Sequence, residues 1–250
     1  MACLNCGTEF SPTANYCFRC GQDTSITRMN TKHAIHQFFH AFTHTDRGFL
    51  HLIPNLVTKP GIVSREYNQG MRKSYFSPFT FILIIVAIST ILVSSTNLMT
   101  IPYNSQTVPQ AQSIGNFVNK HFNIMVFISI PLIAYYSTRF FSKSGMNFSE
   151  AVVLVSYTSG IRSIFFIILV VPMVLAFKVH YFLIIYSYLA LFTFYYGWAC
   201  CQYLGNYKIL NFVKGILSVI LSQLTVIILI TLVIAVSIFI NRFASNRPTT

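Results

Sequence analysis

Five long apolar runs occupy most of the chain after residue 77, at about Pro78–Leu98, Phe122–Phe140, Ala151–Phe177, Tyr181–Tyr203 and Ile216–Ile240. A bilayer core needs about 20 apolar helical residues, with a working range of roughly 17–25. Each run reaches that length, so the pattern predicts an all-α membrane protein with five transmembrane helices. A four-span chain, its third run partly re-entrant, is the competing count. No secretory signal or Arg-rich leader precedes the first run, so residues 1–75 are expected to be mature protein. The resulting division is a cysteine-bearing segment at 1–24, a cytosolic amphipathic and juxtamembrane segment at 25–77, a bundle at 78–241 and a short external tail at 242–250.

Composition and charge strengthen that picture. Of 250 residues, 54% are apolar and 9% charged, against roughly 25% charged in an ordinary soluble domain. The formal charge of +12 is spread between the apolar runs rather than gathered in one stripe, which argues against nucleic acid as a partner. With the N-terminus inside, basic residues such as Arg19, Arg28, Lys59, Arg72, Arg139 and Lys208 collect on the cytoplasmic side. Only Lys120, Lys178, Arg242 and Arg247 fall outside, so the positive-inside rule predicts an N-in, C-out orientation.

Cys3-x-x-Cys6-Gly7 recurs as Cys17-x-x-Cys20-Gly21. Two such knuckles supply four thiolates for one tetrahedral Zn2+, and a glycine after each second cysteine permits the turn that brings backbone N–H groups to sulfur. The expected centre is structural, because four protein sulfurs leave no open position for a catalytic water. A ribbon this short cannot build an apolar core, so the metal would supply its folding free energy. Its further use would be docking, to a partner or to the cytosolic face of its own bundle.

Thr31–Thr45 reads as an amphipathic helix with His33, His36, His40 and His44 on one face and Ile35, Phe38, Phe39 and Phe42 on the other. The histidine face admits three readings: a polar surface, a pH-responsive surface and a second metal site. Farther along, Arg65, Arg72, Lys73 and Tyr75 lead into the first run, where they would lie at headgroup level and bind an anionic lipid or a partner. Gly70 is expected to end a short helix, and Ser77-Pro78 to start the first span.

These motifs, with Asp46-Arg47-Gly48-Phe49 and the Pro60-Gly61…Arg65-Glu66-Tyr67…Gly70…Arg72…Tyr75…Pro78 run, resemble the zinc-ribbon multi-pass membrane proteins of Bacteroidota classed only as a domain of unknown function. The likeness covers about residues 1–80 and implies a bacterial inner-membrane protein; it brings no activity or catalytic residue. Glu150–Gly160 and the five-span count are also similar to the Yip family, which acts in trafficking and membrane shaping, although the proline expected after Tyr157 is absent.

Arg162 is a lone cation inside the third run, and such residues normally face a partner, a carbonyl or a water-filled cavity. Tyr157, Ser159 and Ser163, carbonyls freed near Gly160, or a lipid phosphate are its expected partners; the polar run Ser156–Gly160 suggests a broken or re-entrant half-helix there. A span starting later, near Ser159, with Arg162 snorkelling inward, is the alternative. There is no H-E-x-x-H, G-x-S-x-G or phosphate-binding loop in the sequence. The expected function is therefore a non-enzymatic adaptor or accessory subunit. It would bind lipids, anionic ones above all, and a membrane-protein partner or a second copy of itself, with the ribbon as docking module. The alternative is a small transporter, channel or lipid-moving protein organised around Arg162.

Overall fold

The computed structural model describes residues 1–26, 28–29, 49–96, 109–173 and 181–245. The expected His-bearing helix, with His33, His36, His40 and His44, lies outside them, as does most of the Asp46–Phe49 motif. Among the described residues there are no strands, only isolated bridges at Ala2–Glu9 and Tyr16–Asp23.

Seven helices follow the cysteine segment among the described residues. Two are short, α1 (Phe49–Thr58) and α2 (Pro60–Asn68). Five are long: α3 (Pro78–Thr96), α4 (Pro109–Phe140), α5 (Phe148–Phe165), α6 (Tyr181–Leu204) and α7 (Ile209–Ser245). The starts of α2 and α3 follow from chemistry visible in the sequence. Pro60 and Pro78 occupy first-turn positions, where a missing N–H costs nothing. α2 stops before Gly70, whose φ of 113° is open chiefly to glycine. α5 begins with a capping box: Asn147 accepts from the Glu150 N–H at 2.8 Å, and Glu150 accepts from the Asn147 N–H at 3.1 Å.

The five long helices overlap the five apolar runs, and among the described residues two of them, over Phe148–Met173 and Ile209–Val233, are long and apolar enough to cross a membrane. Two of the five expected spans are thereby supported; over the described residues the apolar parts of α3 and α4 are the shorter Pro78–Val93 and Ile124–Phe140. α5 is the central helix, its Ala151, Val153, Leu154, Val155 and Tyr157 fully buried. α7 is peripheral. Ile209, Leu210, Leu217, Ile220, Leu224, Ile228 and Leu232 are all exposed and form an extended apolar stripe along it.

The expected break near Ser156–Gly160 is absent. α5 runs helically through that segment, and Thr158 Oγ1 bonds back to the Leu154 and Val155 carbonyls at 2.8 and 3.1 Å. These polar residues are buried among neighbouring helices and do not interrupt the backbone. The irregularity comes later, as a π-helical turn at Phe166–Val170.

Residues 49–76, expected to be a cytosolic lead-in, pack into the bundle. A Cβ on Gly61 would sit 2.1 Å from the Ala199 carbonyl oxygen, so α2 and α6 touch backbone to backbone. The Gly61 N–H donates to Gln202 Oε1 at 3.1 Å and Gln202 Nε2 donates to the Thr58 carbonyl at 3.1 Å. The hydroxyls of Tyr195 and Tyr157 donate to the Leu56 and Phe76 carbonyls at 2.7 and 2.6 Å. Helix ends and a turn inside a packed interior leave carbonyls without donors and the Gly61 N–H without an acceptor, and side chains of α5 and α6 supply the partners.

Candidate functional site

The two CxxCG knuckles fold alike. Gly7 and Gly21 have φ of 72° and 68°, and their N–H groups donate to the Cys3 and Cys17 carbonyls at 2.9 and 2.8 Å. The Cys3 and Cys17 N–H groups donate to the Thr8 and Gln22 carbonyls at 3.0 and 2.8 Å. The result brings four sulfurs within 4.8 Å of one another, with Cys3–Cys20 and Cys6–Cys17 at 3.6 Å. Zn–S bonds of about 2.3 Å in a tetrahedron require sulfur separations of about 3.8 Å, so Cys3, Cys6, Cys17 and Cys20 could hold a metal ion of that size. The Thr8 hydroxyl and backbone amide hold the Cys6 thiol down at about 6, whereas burial pushes Cys20 up to about 11. A bound cation would favour the thiolate at all four.

The ribbon rests on a polar seat. Gln22, 2% exposed, donates through Nε2 to the Gly70 carbonyl at 2.8 Å, and its Oε1 accepts from the Arg72 and Lys73 N–H groups at 3.2 and 3.3 Å. Asn5 Oδ1 accepts from the Ser74 N–H at 3.0 Å and from its hydroxyl at 2.9 Å. The Leu4 side chain closes over Gly70, where an added Cβ would lie 2.7 Å from it.

A second set of contacts follows the ribbon. Arg28 donates through Nε and Nη2 to the two Glu150 carboxylate oxygens, the latter at 2.9 Å, and also through Nη2 to the Gly145 carbonyl at 2.9 Å. Glu150 is 2% exposed, and the pair holds Arg28 above its ordinary value. Asn147 Nδ2 donates to the Met29 carbonyl at 3.0 Å, and the Met29 N–H donates to the Asn68 carbonyl at 3.0 Å. Asn68 Nδ2 reaches the Glu150 carbonyl and the Tyr203 hydroxyl, both at 3.2 Å.

The expected outward patch of Arg65, Arg72, Lys73 and Tyr75 does not form as one surface. The turn carrying it is occupied by the ribbon, and Tyr75 donates its hydroxyl to Glu66. Burial lowers Arg72 from its usual value, and Nη1 of the half-buried Arg65 lies near Gly205. Lys73 alone of the four is exposed.

Of the residues expected around Arg162, Tyr157 and Arg162 itself have separate partners. Tyr157 is committed to Phe76 and stacks edge-on against Tyr67, with ring centroids 5.9 Å apart. Ser159 Oγ is buried without a partner among the described residues. The Arg162 guanidinium instead lies 4.7 Å above the Phe192 ring.

Sequence reasoning missed Asn5, Gln22, Asn68, Asn147 and Gln202. The N-x-x-E spacing of Asn147 and Glu150 was a readable capping signal. The others are isolated amides whose partners lie 48 or more residues away in sequence.

A family model described as a protein of unknown function (DUF3667) matches residues 46–90. The chain is similar to that family over α1, α2 and the start of α3, the segment that forms the seat and its contacts with α5 and α6. No curated protein and no solved structure matches.

Proposed function

We propose that this chain is a non-enzymatic adaptor of a bacterial inner membrane. Five helices, α3 to α7, would cross the bilayer with the N-terminus in the cytoplasm, and one structural Zn2+ would sit in the ribbon as a docking module. The exposed apolar length of α7 supports membrane residence, since a lipid phase is the environment that leaves such a face at low cost. The reducing cytoplasm suits thiolate ligation, in agreement with the positive-inside count.

The observation that carries the adaptor reading is the orientation of the ribbon. Gln22 and Asn5 fasten one side of it to the turn at 70–74, while Tyr16 and Phe18 are 65% and 80% exposed. A rigidly seated module with exposed aromatics suits recognition by a cytosolic or membrane-protein partner. The transporter alternative receives less support, because the space beside Arg162 is lined mainly by aromatic and aliphatic residues.

The test is photo-crosslinking in intact cells from an unnatural residue at Phe18, with an equivalent probe at Lys59 as control. A discrete partner enriched from Phe18 alone is expected. Equal, background labelling from both positions would remove the adaptor reading. Membrane residence is checked separately: the chain should resist alkaline extraction, and Ser25→Cys should stay unlabelled by an impermeant thiol reagent in spheroplasts.

A further inference from the structure

A crevice of about 230 Å3 opens beside α5 and α6, lined by Val57, Arg162, Phe165, Tyr188, Phe192 and Tyr195, with the exposed Leu191 also on its wall. Apart from Arg162 and two tyrosine hydroxyls, this lining is hydrocarbon. The Tyr188 hydroxyl is engaged, donating to the Arg162 carbonyl at 2.6 Å, and the Tyr195 hydroxyl donates to Leu56. Arg162 therefore brings the crevice its one charge.

Its charge is poorly answered from within. The Phe192 face attracts the cation, yet one ring cannot satisfy five N–H donors. Each acidic residue among those described lies elsewhere: Glu9 and Asp23 in the ribbon, Glu66 with Tyr75, Glu150 with Arg28. Just past Arg162, α5 widens into the π-helical turn at Phe166–Val170, a distortion that recurs at functional sites.

Size selects among anionic ligands. Pockets that enclose a whole small molecule measure roughly 300–1,000 Å3, so this one admits part of a larger molecule. An apolar wall with a single half-buried cation matches an amphiphile that places its anionic group at the arginine and leaves its chains outside.

We infer that the crevice binds an anionic phospholipid, with Arg162 pairing its phosphate and the apolar wall beside Phe165 and Leu191 contacting its acyl chain. This rests on the reading of the chain as a membrane protein and assigns the lipid class and the place where it binds.

The single tryptophan reports on the site, since the Trp198 ring lies 6.1 Å from that of Tyr195. The full-length protein is reconstituted in phosphatidylcholine vesicles containing a minor fraction of either phosphatidylglycerol or phosphatidylcholine brominated along its chains. Brominated phosphatidylglycerol should quench Trp198 more than the same fraction of brominated phosphatidylcholine. Arg162→Leu should abolish that excess. Arg162→Lys, which keeps the charge but loses the fork, should weaken competition by unbrominated phosphatidylglycerol about tenfold.

Equal quenching by the two lipids, or an excess that survives Arg162→Leu, overturns the inference. Relief of the excess by inorganic phosphate would also overturn it, assigning the site to a free anion. Should the Leu variant fail to reconstitute, Arg162→Lys is read alone: a diminished excess supports the inference and an undiminished one refutes it. Loss of the protein on alkaline extraction would refute the membrane reading itself, whereas an integral protein indifferent to headgroup charge refutes only the lipid site.

Discussion

The ribbon and the seat beneath it are built on opposite principles. Residues 1–26 gather four sulfurs on paired turns, and their aromatic residues Tyr16 and Phe18 are exposed. Residues 49–76 bury Leu52, Leu56, Val63, Tyr67 and Phe76 against α5 and α6, and glycine at position 61 allows backbone contact. A small unit without an apolar core depends on a few strong bonds, so one substitution can dissolve it. The seat depends on many contacts, which tolerate removal of a single polar atom but not the insertion of bulk.

That contrast is tested most severely by removing the metal that the four cysteines are proposed to hold. Chelation, or Cys6→Ser, should unfold residues 1–26 while leaving the helical signal of 49–245 in place, because a structural zinc site contributes of the order of 10 kcal/mol or more to its own fold alone. Far-UV circular dichroism with proteolysis of the N-terminus would show this; loss of the helices as well would merge the two regions into one cooperative unit. Acidification should act in the same direction, since protons compete for thiolates, and metal should be released as pH falls.

The converse change is Gly61→Leu. With the Ala199 oxygen 2.1 Å from any added Cβ, α2 must part from α6, at a cost of about 3 kcal/mol or more. Thermal unfolding should drop markedly while metal content stays at one equivalent. An unchanged melting temperature would mean that the glycine contact is dispensable.

Smaller effects probe the join between the two regions. Arg28→Ala leaves the buried Glu150 without its cation and should cost about 1–2 kcal/mol, less than a fully buried pair because Arg28 is itself 63% exposed and solvent-screened, whereas Arg28→Ala with Glu150→Gln should recover part of that loss. A double-mutant cycle on thermal stability measures it, and strict additivity would deny the coupling. Gln22→Ala should cost about 1–2 kcal/mol of docking while retaining metal, freeing the ribbon to be cleaved as an intact metal-bound fragment. Protection equal to that of the unaltered chain would show that the Asn5 and Leu4 contacts suffice.

The match at residues 46–90 acquires a physical meaning from the seat. Its Pro60-Gly61, Glu66-Tyr67, Gly70 and Tyr75 stand respectively at a helix start touching α6, at Tyr75 and Tyr157, at a positive-φ turn under the ribbon, and at Glu66. These are packing and turn requirements. The charged residues in the same run, expected from sequence to lie at headgroup level and bind an anionic lipid or a partner, are divided between half-buried Arg65 and Arg72 and exposed Lys73, because a linear pattern does not reveal that another segment packs on the turn.

Sequence by itself determined the elements. Cysteine spacing specifies the clustered sulfurs, apolar run length locates the long helices though not all of their ends, and proline and glycine mark the ends of α2 and the start of α3, because each is a short-range property of the backbone or of burial. Tertiary structure alone decided which faces are covered. It made α5 central, with 61% of its apolar window buried, and α7 peripheral, with 17%, although hydropathy marks both in the same way. It also gave Glu150 to Arg28, placed Gln22 under Gly70 and turned Arg162 toward Phe192. Such pairings join residues far apart in sequence, and their chemistry depends on distance in space, which residue order does not encode locally.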